Sequence, residues 1–304
     1  MSAHNEGSTR AILYALGANF GIAVSKFGAA WWTNSGSMLA EAIHSTADCV
    51  NQLLLLLGMR EAKRPESDDH PLGYHRVTYF WSMIVALLLF FMGGAFSVYE
   101  GVERLRHPHP IENGLVALLV LGVAVVLETF SLAGAMREIR KVARGKPFLR
   151  WFRETRESEL MVVAGEDIAA LAGLALAFCA VAAALATGNP LWDALGTLSV
   201  GVVLMVIAVL VMIEVKGLIV GESASPELRE EIKRFVADQP EVAEVLNVIT
   251  LAWGDMLVIA VKARMAEVER ISGAQLVERI NVVEARMQAA FPRAKWVFFE
   301  PDVK

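Results

Sequence analysis

The chain has 304 residues, 55% of them hydrophobic, with a mean hydropathy of +0.47 and a net charge of −5. That is more apolar than a soluble globular domain, so a purely soluble protein is excluded and the lipid bilayer becomes the first expected partner. The modest net charge singles out no other partner and nucleic acid is not expected, while Cys49 and Cys179 sit in apolar stretches without metal-site or disulfide spacing.

Residues 1–10 form a polar tail carrying Glu6 that leads straight into a full-length span, so the first span is expected to insert and stay. Six stretches can cross about 30 Å of hydrocarbon: about 11–32, 37–59, 77–99, 113–136, 160–186 and 192–215. Asn19 and Lys26 interrupt the first and read as packing and snorkelling groups. The second carries Glu41, His44 and Asp48 in SMLAEAIHSTADCVNQ. At i, i+3 and i+7 these three share one helix face. A charge in hydrocarbon costs about 2.5–3.5 kcal/mol on the gentlest scale, and a divalent cation is the simplest group that offsets it. His44 and Asp48 are one turn apart, with a rise of about 6 Å between their Cα atoms, and can reach a common metal.

The next loop, KRPESDDHPLGYHR (63–76), holds Asp68, Asp69, His70 and His75. They either gather a cation at the mouth of the pathway or are ordinary solvated surface. His107 and His109 flank prolines after span three and receive no role. Span four contributes Glu128, read as a proton carrier, a ligand on the access path or a hydrogen-bonded interhelical carboxyl. Span five places Glu166 and Asp167 side by side, about 100° apart around the helix. Two carboxylates this close do not both stay ionised in a low dielectric without a cation. If spans two and five pack together, His44, Asp48 and Asp167 supply three ligands, with Glu166, Glu41 or water as a fourth, a set that suits tetrahedral Zn²⁺. Neutral carboxyls tying helices together are the competing reading. Asp193, opening span six, reads as a helix-start carboxylate.

Basic residues cluster in the loop after span two (Arg60, Lys63, Arg64, Arg76) and in the loop between spans four and five, from Arg137 to Arg156. The connections TNSG (33–36) and TGNP (187–190) have none, and the remaining outer loop only Arg104 and Arg106. Positive-inside bias then puts both termini in the cytoplasm of a multi-pass protein, expected in the cell (inner or plasma) membrane. After a linker at 216–221 the character changes. Ser225 and Pro226 open a helix, VAEVLNVITLAW and MLVIAVKARM form a hairpin about Gly254-Asp255, a second helix covers 272–290, and AKWVFFEP is a last strand. The order α-β-β-α-β predicts a small cytoplasmic helix-on-sheet domain, dimerising or regulatory in role. No nucleotide-binding glycine loop and no HExxH motif occurs, so neither a nucleotide partner nor an enzyme is expected.

LAEAIHSTADCVNQ, the loop DDHPLGYHR leading into span three, and YEGVERLRHPHPI after it together resemble the cation diffusion facilitators. The resemblance implies a six-helix transmembrane domain (11–215) with a cytoplasmic ferredoxin-like domain (222–304), working as a homodimer in metal/proton antiport. It also implies a ligand pair four residues apart on each of spans two and five. His44 and Asp48 fit the first pair. The second departs: aligned on Asp167, its partner position falls on Val163, and Glu166 is the nearest substitute. An oxygen-rich site of this kind favours harder or borderline cations such as Mn²⁺, Fe²⁺ and Co²⁺ beside Zn²⁺, with Cd²⁺ a further candidate cargo. In the mouth loop the family's second histidine falls on Tyr74, with His75 one residue on. Residues 222–304 contain no histidine, and Trp296, Phe298 and Phe299 stand where many members carry ligands. Hydrophobic self-association of the tails fits these residues better than metal-triggered clamping.

The expected function is therefore secondary active efflux of a divalent transition-metal cation, zinc first, with H⁺ as counter-ion and no resident cofactor, by alternating access around a midplane site. The alternative is a non-transporting metal-binding scaffold or chaperone that keeps the fold.

Overall fold

The structure, a computed structural model, describes residues 3–33, 36–107, 114–143 and 145–303, with the side chains at 3–6, 30, 33, 36–41, 43, 44 and 47 outside the description. The first two-thirds is helical: α1 (Ala3–Thr33), α2 (Gly36–Glu61), α3 (Val77–Leu88), α4 (Phe96–Arg106), α5 (Gly114–Val142), α6 (Phe148–Glu154), α7 (Ser158–Thr187) and α8 (Leu191–Val220). A π-helical segment, Leu89–Ala95, joins α3 and α4 into one rod. Among the described residues five helical stretches are long and apolar enough to cross a membrane, at Gly7–Ala29, Val77–Arg106, Gly114–Val142, Ser158–Thr187 and Leu191–Val220. These coincide with five of the six spans expected from sequence. The remaining one, α2, has 26 residues and packs against α1 and α3; its stripe of polar groups lowers its apolarity.

The bundle is apolar on both sides, as a chain solvated by lipid must be. Phe20, Phe91, Leu115, Phe130 and Val206 are exposed on its outside, and Trp31 and Trp32 at the end of α1 are almost wholly so, where an aromatic belt belongs. Inside, Ile12, Leu55, Tyr79, Ile139, Leu160, Met161, Val163 and Leu218 form a continuous core drawn from six helices. Helix α8 crosses α4 at backbone contact distance. A Cβ on Gly101 would lie 2.6 Å from the Leu198 nitrogen, and one on Gly201 2.6 Å from the Val98 nitrogen, so only glycine permits this approach. Arg104 of α4 ties the same pair together at one end by its ion pair with Asp193 at 2.5 Å.

The tail has the element order expected: α9 (Pro226–Ala237), β1 (Val242–Trp253), β2 (Met256–Met265), α10 (Gly273–Ala290) and β3 (Ala294–Pro301). Ser225 caps α9 by accepting the Leu228 amide, with Pro226 in the first turn, and Ser272 with Gln275 makes a capping box on α10. The sheet order is β1-β2-β3, antiparallel then parallel. Alternate β2 residues Leu257, Ile259, Val261, Ala263 and Met265 are buried against Ile232, Val236, Val283 and Met287 of the two helices. Helix α6 was not expected from sequence, and its buried Trp151 anchors the basic loop beneath the bundle.

Candidate metal site

Glu166 and Asp167 lie in the first half of the 30-residue helix α7, about 12 Å from its start at the rise of an ideal helix. Both are buried, as is Glu128 of α5, at 5%, 2% and 4% exposure. Adjacent positions point about 100° apart, and the two side chains engage different neighbours. Asp167 Oδ2 accepts the Ser131 hydroxyl of α5 at 2.9 Å. Glu166 turns to α2, where Asn51 Nδ2 donates to its Oε1 at 3.0 Å and Gln52 Nε2 to its Oε2 at 2.6 Å. An ionised carboxylate offers about four lone-pair sites, so Glu166 keeps acceptor capacity beyond these two bonds.

Electrostatics join these groups into one cluster. Glu128 lies within the field of Asp167, Asp48 and Lys26, and Glu166 within that of Asp48 and Glu128. Carboxylates from α2, α5 and α7 thus converge on the centre of the bundle, with the buried Lys26 of α1 beside them. They are spaced more loosely than a closed ligand shell: among the described residues no three His, Cys, Asp or Glu side chains gather tightly enough to hold a metal. Glu41 and His44 fall within α2, but their side chains lie outside the described residues. Val163, one turn before Asp167, is fully buried in the apolar core and offers a cation nothing.

The mouth loop divides. Asp68, Asp69 and His70 are exposed on the surface, and His70 stacks on Tyr74 with ring centroids 4.3 Å apart. His75 points the other way, its Nδ1 bonded to Asp255 Oδ1 of the tail at 2.8 Å. The whole β1–β2 turn is docked there. The Gly254 amide donates to Tyr79 Oη at 3.0 Å and Trp253 Nε1 donates to the Leu72 carbonyl at 2.9 Å, while Arg293 Nε, within the tail itself, donates to the Asp255 carbonyl at 2.8 Å. Arg76 lies over the Trp253 ring, 4.7 Å from its centroid, and donates to the Leu218 and Ile219 carbonyls at the end of α8. A cavity opens at this junction, walled by Met59, Lys63, His75, Glu159, Asp255 and Arg293. The tail is thereby held against the end of the bundle where the basic loops lie.

Asn51, Gln52 and Ser131 were not among the site residues expected from sequence. Their signal was present: two adjacent amides in an apolar helix, where an unsatisfied amide costs several kcal/mol. Which carboxylate they serve depends on how α2 and α7 pack, which spacing along one helix does not reveal.

Comparison with known proteins matches residues 12–219 to the family model of the cation efflux transmembrane domain. The mitochondrial proton-coupled zinc antiporter SLC30A9 of Homo sapiens is 37% identical over 223 residues, 72% of this chain and 39% of that protein. Metal tolerance protein C4 of Arabidopsis thaliana is 31% identical over 242 residues, covering 79% and 53% of the two chains. The zinc transporter ZitB of Escherichia coli is 29% identical over 128 residues, 42% and 41%. The chain spans about 40% of the length of the zinc antiporters it matches.

Proposed function

Because the chain belongs to the cation efflux family, the cation diffusion facilitators, we propose that it exports a divalent transition-metal cation, zinc before Mn²⁺, Fe²⁺, Co²⁺ or Cd²⁺, in exchange for protons. The observation that carries this reading is the convergence of Glu128, Glu166 and Asp167 with Asp48 in the middle of the bundle. Buried carboxylates are stable there only in company with a cation or a proton. The similar zinc antiporters and zinc transporter support zinc as the first cargo.

In this reading His44, Asp48 and Asp167 bind the cation, with Glu166 alongside, and Glu41 and Glu128 support them. The ligands must shed protons to bind metal, so inward protons displace the cation and the gradient drives export. An imidazole with an ordinary pKa of about 6.5 is suited to that exchange near neutrality. Helices rocking about the midplane expose the site alternately to the two sides. Tail-to-tail contact completes the active unit. Ile249, Ala260 and Phe298 lie in one cross-strand row, and Ile249 and Phe298 are more than half exposed, an apolar strip that a second copy would cover.

The apolar burial of Val163 favours one second reading, a scaffold that binds metal without turnover. Purified protein in liposomes separates the two through Asp48→Ala and Asp167→Ala, each expected to abolish metal flux. Flux that survives both substitutions contradicts the site assignment.

A further inference from the structure

Gln52 is 0% exposed, and its Nε2 is engaged with Glu166 at 2.6 Å, yet its Oε1 has no hydrogen-bond partner among the described residues. An orphaned buried acceptor costs about 1–3 kcal/mol, and such an atom points to a ligand with positive charge. The amide group itself fixes where that atom lies. Standard bond lengths put the two amide heteroatoms about 2.3 Å apart, so Oε1 is within about 5 Å of the Glu166 carboxylate. Gln52 also follows Asp48 by four residues, on the helix face that His44, Asp48 and Gln52 share at i, i+4 and i+8.

The direction of the two helices sharpens the placement. Gln52 meets Glu166, while Met59, two turns on, lines the same cavity as Glu159, two turns back on α7. Helices α2 and α7 therefore run antiparallel. One turn forward from Asp48 leads to Gln52, and one turn back from Asp167 leads to Val163, toward the same end of the bundle. Gln52 lies level with Glu166, to which it is bonded, and Val163, three residues back on α7, lies about 4.5 Å further toward that end among apolar side chains such as Leu55. On this side of the site α7 offers the Glu166 carboxylate, held by the two amides, and α2 offers the unpartnered Gln52 oxygen.

We propose that Gln52 Oε1 is a ligand of the transported cation, supplying from α2 the donor that Val163 does not supply from α7, while its Nε2 orients Glu166. A neutral amide oxygen is an ordinary ligand for hard divalent cations, and it biases the site toward borderline and harder ions over soft ones. The inference rests on the transport reading for its cargo.

The test compares Mn²⁺, Zn²⁺ and Cd²⁺, supplied singly to full-length protein in liposomes under a pH gradient, and measures equilibrium binding of the same ions by dialysis. Gln52→Met keeps the length and unbranched shape but replaces oxygen with a thioether. It should move the Cd²⁺-to-Mn²⁺ preference toward Cd²⁺ by about tenfold or more, the scale on which shell substitutions change metal affinity. Asn51→Leu, which breaks the other bond to Glu166 and leaves the oxygen in place, should lower all three ions alike. An unchanged ion ratio in Gln52→Met, at any absolute rate, overturns the proposal and leaves transport standing. If the wild-type protein carries no ion, the transport reading fails, and the binding ratios alone decide the role of Gln52; a protein that binds none of the three contradicts both.

Discussion

Gln52 of α2 donates to Glu166 of α7 at 2.6 Å, and its neighbour Asn51 donates to the other oxygen of the same carboxylate at 3.0 Å. Two amides from one helix thus clamp a buried acid on another, beside the residues that best account for cation binding. Hydrogen bonds to charged groups contribute about 1.5–3 kcal/mol. Asn51→Leu is expected to lower the thermal unfolding midpoint of the detergent-purified protein accordingly, whereas a substitution on the lipid face such as Phe130→Leu is not. A midpoint equal to wild type in Asn51→Leu contradicts the clamp.

The His75–Asp255 pair joins the mouth loop to the tail and makes docking pH-dependent. Burial alone would raise the Asp255 carboxyl, but the hydrogen bond and charge of His75 outweigh it and hold it below its ordinary 3.8. With the folded value depressed, the stabilisation is fully present above the unfolded value, near pH 4. It is lost as pH falls through the folded value. Hydrogen exchange at residues 253–256, corrected for intrinsic rates, should rise below about pH 4, and Asp255→Asn should show raised exchange at neutral pH. Equal protection in Asp255→Asn and wild type at neutral pH removes the pair as a docking contact.

Gly254 supports the same contact through shape. Its φ is +64°, and a Cβ there would overlap the His75 carbonyl oxygen. Left-handed strain in a non-glycine residue costs about 1–3 kcal/mol before any clash. Gly254→Ala should therefore release the turn from Tyr79 and expose the linker near Ser223 to limited proteolysis, with the tail's own core intact. Wild-type protease resistance would show that the turn does not hold the tail.

Much of this was legible beforehand. The tail declared itself because Ser225-Pro226, Gly254-Asp255 and the alternation from Leu257 to Met265 each encode local geometry. Five of the six spans did so because length and apolarity suffice for them. Helix α6 was hidden, since Arg150 and Arg153 interleave with Trp151 and Phe152 in a loop that reads as pure charge. Of the site, Asp167 and Glu166 stood out as charges in hydrocarbon. The role of Gln52 did not, because an amide becomes informative only when one of its two heteroatoms is seen to lack a partner. His75 was read as a mouth residue, and its partner lies 180 residues away on the tail.

Self-association is open to a direct check. Phe298→Glu places a charge in the exposed row with Ile249 and Ala260, where a second copy would have to desolvate it. The variant should run as a monomer in light scattering of the detergent complex while wild type runs as a dimer. A wild-type protein that is already monomeric, or a dimeric variant, contradicts this contact.

The central claim is that a proton gradient drives a divalent cation through the site of His44, Asp48 and Asp167. Its most direct measurement is Zn²⁺ flux into liposomes carrying the purified protein, followed with an internal fluorescent indicator, with the pH gradient imposed and then collapsed by a protonophore. Flux is expected to rise with the gradient, stop on its collapse and be absent in Asp167→Ala. Zinc flux indifferent to the gradient, or undiminished in Asp167→Ala, would contradict the claim.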